Sequence, residues 1–249
     1  MERTRTAIVA GGTSGIGRAA VSRLAADGWW VCAAGRDEAA ASELDDELGE
    51  AGTTWLGDLT DDDAPAALIQ DVRARRGGLD ALVISAGRHQ LAALHEATPE
   101  DLDAILRLNL RAAMLLAQAA IDVMRGHGGG VIVNVSSEAG LVAVPGQVAY
   151  NVSKAGLTML TKCIAADYAA EGIRAVGVAP GTTRTPLVDA AIASAPDPTA
   201  HERMLAESRP ARRLGDPREV AAVIAFACSD EARFMNGSEI VIDGGYTAV

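Results

Sequence analysis

Short runs of apolar residues alternate along the chain with longer stretches in which apolar positions recur every three or four residues. The runs at 6–10, 29–34, 53–57, 80–85, 130–135, 173–179 and 238–242 are apolar nearly throughout, which predicts strands buried on both faces. The periodic stretches near 15–27, 38–49, 61–76, 99–125, 149–171 and 216–228 predict the helices that cross between them. Such an alternation gives an α/β fold, a doubly wound sheet of about seven parallel strands with helices on both faces. One helix start is especially legible. Thr98 can cap, Pro99 suits the first helical position, and Glu100 and Asp101 complement the positive end of the helix dipole. The apolar face that follows, Leu102, Ile105 and Leu106, then carries the amide of Asn109. The segment 182–215, rich in alanine and proline, has one helix expected near 186–206 and is the expected substrate lid. Neither a repeat nor an interdomain linker interrupts the pattern, so one domain is expected across 1–249.

Composition narrows the function classes. Hydrophobic residues make up 49% of 249, enough for one large core, and the net charge of -11 argues against a nucleic-acid surface. No apolar run approaches the roughly 20 residues that span a bilayer, so no membrane association is expected. Cys32, Cys163 and Cys228 lie in apolar runs, are odd in number and lack metal-ligand spacing, which predicts reduced, buried thiols in a cytoplasmic protein. His89, His95, His127 and His201 also lack such spacing, so no metal site is expected.

Two motifs carry chemistry. The first strand leads into AGGTSGIG, where Gly11, Gly15 and Gly17 let the backbone turn sharply, approach a pyrophosphate and open a helix whose free N–H groups face an anion. Arg18 and Ala19 stand where a Walker loop needs Lys and Ser/Thr, which excludes that alternative. The second motif is AYNVSKAG, residues 149–156. Lysine occurs only at 154 and 162, and the first of these falls one helical turn after Tyr150, so phenol and ammonium share a helix face. Acid/base work near neutrality needs the phenol's pKa of about 10 lowered by roughly 3 units, about 4 kcal/mol. One positive charge about 4 Å away at an effective dielectric of about 20 supplies about 4 kcal/mol. Lys154 is thus expected to tune Tyr150.

With NVSSEAG at 134–140, APG at 179–181 and VIDGGY at 241–246, these motifs span essentially the whole chain. The sequence resembles a classical short-chain dehydrogenase/reductase. The resemblance implies a Rossmann-like fold and a reaction that interconverts a ketone and a secondary alcohol by hydride transfer. It implies Tyr150 as acid/base, Lys154 as its partner and a ribose ligand, Ser137 holding the substrate oxygen, and Asn109 holding a water linked to the lysine. It implies nucleotide contacts from Gly11, Thr13, Ser14, Gly15, Ile16 and Gly17, from Asp58 and Leu59 beside the adenine, and from Ser85, Ala86 and Gly87 beside the ribose. Pro180, Gly181, Thr183 and Thr185 match the turn that meets the nicotinamide. Ser85 replaces the family's asparagine and Ala10 its usual threonine.

Cofactor choice is read at the end of the second strand, AAGRDE. Arg36 can pair with a 2′-phosphate, which favours NADP(H). Asp37 keeps NAD(H) possible, although its expected role is to cap the helix beginning at Glu38. His89, Glu138, Leu141, Val142, Val144 and Gln147 are candidate pocket residues for a small or medium carbonyl or alcohol substrate. Arg209, Arg212 and Arg213 flank the lid and are expected to pair at a surface or interface. The resemblance also implies a homotetramer or homodimer joined through the 99–125 and 149–171 helices. A non-catalytic NAD(P)-sensing regulator on the same fold is the alternative, but its usual mark, a lost tyrosine or lysine, is missing. An epimerase or dehydratase of the extended relatives needs a larger C-terminal substrate domain.

Overall fold

The computed structural model describes residues 3–249. Seven strands form one all-parallel sheet: β1 (Thr6–Ala10), β2 (Trp30–Gly35), β3 (Gly52–Leu56), β4 (Ala81–Ile84), β5 (Gly130–Val135), β6 (Ile173–Pro180) and β7 (Glu239–Ile242), in the order β3-β2-β1-β4-β5-β6-β7. Each lies within one residue of its expected bounds. Alternate side chains explain the unbroken apolar runs. Ile8, Cys32, Leu82 and Ile132 join the core on one face, while Val9, Val31, Val83 and Val133 join the core on the other. The helices α1 (Gly15–Ala26), α2 (Glu38–Leu48) and α9 (Pro217–Cys228) cover the second face. The first is covered by α3 (Ala64–Arg76), α5 (Ala112–Arg125) and α6 (Val148–Tyr168), with α4 (Pro99–Leu106) leading into α5. Strand order reverses between β1 and β4, the place where doubly wound sheets open a crevice at their carboxyl ends.

Capping follows the sequence closely at α4. The Thr98 hydroxyl accepts from the Asp101 N–H at 3.2 Å, the Asp101 carboxylate accepts from the Thr98 N–H at 3.4 Å, and Pro99 occupies the first turn. The helix expected to continue through 125 is interrupted. Residues Arg107–Arg111 form one π turn, which rotates Asn109 into the interior. The segment Pro99–Arg125 is long and apolar enough to cross a bilayer by length and composition alone, a test that core helices also pass. In the fold, Leu116, Ala120 and Met124 are buried against the sheet.

The single lid helix also divides, into α7 (Pro186–Ala193) and α8 (Pro198–Glu207). Pro196 lacks an N–H and disfavours helical backbone at Ala195, and Asp197 restarts the helix by accepting from the Ala200 N–H at 2.9 Å. Cys32 and Cys228 are buried, but Cys163 is exposed, because it lies on the outer face of α6.

Candidate active site

The residues expected around a dinucleotide gather at the carboxyl ends of the strands. Gly11 through Gly17 join β1 to α1, and Ser85–Gly87 follow β4. Gly11 has φ +81, and a Cβ there would stand 2.6 Å from the Ala86 N. A Cβ on Gly17 would stand 2.0 Å from the Gly11 carbonyl oxygen, so α1 packs on its own turn only with glycine at this position. Ser14 precedes α1 in extended conformation and makes no side-chain cap. Among the described residues, none accepts a hydrogen bond from the N–H groups of Gly15, Ile16 or Gly17. A dipolar end with unused donors is suited to a phosphate, and a side chain at position 17 would fill the approach. The site therefore fits a pyrophosphate. Thr13 packs against Gly35 at the end of β2.

Arg36, after β2, and Asp58, after β3, meet each other. The Arg36 Nη1 donates to the Asp58 Oδ2 at 3.0 Å, with both side chains exposed. Asp58 also accepts from the Thr60 N–H at 2.9 Å and hydroxyl at 2.8 Å. These Thr60 bonds, then Arg36, hold its carboxyl below the ordinary carboxylate range. Leu59 is buried beneath them. Asp37 accepts from the Ala39 and Ala40 N–H groups at 3.0 Å, so its carboxylate caps α2 as expected.

Beyond β6, Thr183 is buried and donates to the Gly181 carbonyl at 2.9 Å. Pro180 ends the strand, and Thr185 starts α7 with its methyl against Gly15.

Tyr150 and Lys154 lie in the first two turns of α6, facing the end of β5. The Lys154 ammonium is buried, donates to the Val135 carbonyl at 2.8 Å and lies 5.7 Å from the centre of the Tyr150 ring. Burial lowers its pKa to about 8, against the pull of Glu239. The His89 ring meets the Tyr150 ring edge-on, with centroids 4.9 Å apart.

Ser137 is buried at the end of β5. Its oxygen accepts from the Ala139 N–H at 3.1 Å, which leaves its proton available toward the phenol. Ser136 points the other way, to the Val178 carbonyl at 3.1 Å and the Glu239 carboxyl. The two adjacent serines thus face opposite sides of the strand end.

Two expectations are corrected here, for Tyr150 and Arg209, and the contacts of Asn109 are added. Burial raises the Tyr150 pKa, with the Ser137 hydroxyl opposing and the charge of Glu138 adding to the rise. The penalty of placing a phenolate in a low-dielectric site outweighs the attraction to Lys154.

Asn109, fully buried, accepts from the Arg88 N–H at 2.8 Å and donates to the Arg88 carbonyl at 2.9 Å and the Ser153 hydroxyl at 3.0 Å. Both amide protons are therefore in use. Ser153 in turn donates to the Tyr150 carbonyl at 2.8 Å, so the π turn clips the Gly87–Arg88 backbone to the tyrosine's own helical turn. A water at Asn109 must donate to the remaining Oδ1 lone pair or to the main chain.

Arg209, expected at a surface, is buried and paired with Glu138 at 3.3 Å. Nothing in the sequence marks either residue as a partner of the other, since they are 71 positions apart.

The family model described as enoyl-(acyl carrier protein) reductase matches residues 10–247. The chain is 39% identical to cis-4-hydroxycyclohexanecarboxylate dehydrogenase from Sinomonas cyclohexanicum, over 98% of this chain and 97% of that one. It is 36% identical to cyclopentanol dehydrogenase from a Comamonas species, with the same coverage. The crystal structure of gox2181 superposes with a TM-score of 0.93 at 31% identity, covering 100% of this chain and 97% of that one. Fold, motif order and relatedness along nearly the full length agree, and the chain belongs to the short-chain dehydrogenase/reductase family.

Proposed function

We propose that the protein interconverts a small cyclic or branched ketone and its secondary alcohol, with Tyr150 as acid/base. The observation that carries this reading is the buried Lys154 one turn from Tyr150, whose phenol meets the Ser137 hydroxyl at the end of β5. The family implies a nicotinamide dinucleotide, which supplies or accepts the hydride.

Gly11 through Gly17 hold its pyrophosphate, with Thr13, Ser14 and Ile16 shaping the turn. Leu59 and Ser85–Gly87 border the adenosine. Pro180, Gly181, Thr183 and Thr185 border the nicotinamide, and Lys154 binds the adjoining ribose through protons not used on Val135. Ser137 donates its hydroxyl proton to the substrate oxygen. Tyr150 gives that oxygen a proton in reduction and removes one in oxidation, and Asn109 holds the water that resupplies it.

The dehydrogenases of cyclopentanol and hydroxycyclohexanecarboxylate among the relatives support a ring-bearing substrate. So do the exposed apolar side chains of Leu91, Leu94, Leu141 and Leu187 on segments bordering the cleft.

NADP(H) is the favoured dinucleotide. Asp37 is occupied as a helix cap, whereas Arg36 is held only by an exposed ion pair, an interaction worth about 0–1 kcal/mol that a 2′-phosphate can displace. Cofactor oxidation with a panel of cyclic ketones, in NADPH and NADH, tests both points. Arg36→Ala is expected to reduce the NADPH/NADH preference at least about tenfold, the order of one lost charge-assisted pair. Unchanged discrimination would reject the assignment, and no turnover on any substrate would favour the sensor alternative.

The exposed apolar residues Met114 on α5 and Val152 and Met159 on α6 support assembly through these helices into a dimer or tetramer. Light scattering is expected to give a multiple of the single-chain mass, and a monomer alone would contradict this.

A further inference from the structure

We infer that Glu138 and Arg209 form a positioning pair for the reaction proposed above, locking the Ser137 turn to the foot of the lid and placing an ionisable carboxyl beside Tyr150. The inference rests on that oxidoreductase reading and adds two residues to it.

The guanidinium is satisfied donor by donor. Its five N–H groups meet five acceptors: the Leu205 carbonyl at 3.2 Å, the Glu138 carboxylate at 3.3 Å, the Asp243 carbonyl at 3.4 Å, the Thr182 hydroxyl at 2.7 Å and the Ser208 hydroxyl at 3.3 Å. Those acceptors belong to four segments: the turn after β5 that begins with Ser137, the turn after β6, the end of α8 and the turn after β7. One buried side chain thus ties the serine's turn to the segment bordering the nicotinamide and to the base of α8. A shift of α8 is transmitted through Arg209 to Glu138, the residue directly after Ser137.

Simple stabilisation accounts poorly for this arrangement, because buried ion pairs are often replaceable by apolar side chains without loss. Charge beside the phenol gives it a second consequence. Burial lifts Glu138 to about 7, with Arg209 pulling it down and Asp243 pushing it up. Those two groups and Tyr150 on α6 are the ionisable neighbours that face it. As pH rises through 7 the carboxylate becomes charged and makes the phenol harder to ionise. Alcohol oxidation, which needs the ionised phenol, is therefore shifted to higher pH than it would be with a neutral group at 138.

The test measures kcat against pH in the oxidation direction, dinucleotide binding and melting temperature for the wild type, Glu138→Gln, Arg209→Met and the double variant. Glu138→Gln is expected to move the rising limb down by about half a pH unit or more, since a like charge near a titrating group raises its pKa by that order. In Arg209→Met, Glu138 is left buried without its cation and takes up a proton. Its profile then follows that of Glu138→Gln, and kcat falls about tenfold from the loosened serine turn. The double variant is expected to melt above Arg209→Met while keeping the shifted profile. A Glu138→Gln limb that coincides with the wild type overturns the inference, whatever the melting temperatures. If the limbs coincide while the wild type turns over and Tyr150→Phe does not, the oxidoreductase reading stands and only the role of this pair falls.

Discussion

Replacing Tyr150 by phenylalanine is expected to lower turnover by about 100- to 10,000-fold, the range that a positioned acid/base contributes. Dinucleotide binding is expected to persist, because the glycine turn of β1 and the Lys154 ammonium do not depend on the phenolic oxygen. The free protein's phenol is raised by burial. It is therefore protonated at neutral pH and ready to donate in ketone reduction. Oxidation needs the opposite form, so its rate is expected to climb as pH rises toward the phenol's own pKa. Steady-state turnover in both directions, with binding followed by nicotinamide fluorescence, checks the prediction. Full turnover by the variant would exclude Tyr150 as the proton donor.

Gly17→Ala is expected to be the most damaging single methyl addition in the cofactor turn. The new Cβ would stand 2.0 Å from the backbone oxygen of Gly11, which cannot rotate away as a flexible side chain could. Either α1 tilts or the turn opens, and overpacking of this kind costs about 1–3 kcal/mol or more. Both movements displace the unused N–H groups at the start of α1, so dinucleotide Kd is expected to rise at least about tenfold, or about 1.4 kcal/mol. Gly126→Ala is the control. Gly126 has φ -80, and its added Cβ would find its nearest neighbour at 3.7 Å. A melting curve and a binding isotherm on both variants decide the matter. Equal behaviour of the two would show that the close approach at Gly17 relaxes without consequence.

The titration of the phenol depends on packing that local sequence does not encode. The four-residue spacing of Tyr150 and Lys154 put both on one helix face, and they lie there. The direction of the phenol's titration came out differently, because burial depends on everything packed around α6, including β5, the Ser137 turn and Glu138. Asn109 makes a related point. Its amide stood out among leucines, but the π turn that aims it and the Arg88 backbone it holds are tertiary facts. A helix pattern read at 3.6 residues per turn has no term for one extra residue in a turn.

The strand and helix order, the parallel sheet buried on both faces, the cap at Thr98 and the glycine turn of β1 are all legible in the amino-acid pattern. These depend on local propensity and on the period of apolar positions, and both are written in neighbouring residues. That pattern does not reveal that Arg36 rests on Asp58, that Ser136 and Ser137 face opposite sides, or that Arg209 is buried against Glu138. Those pairings are products of three-dimensional packing. Each joins loops at the ends of different strands, and the distance between such loops is set by sheet order and lid packing rather than by separation along the chain.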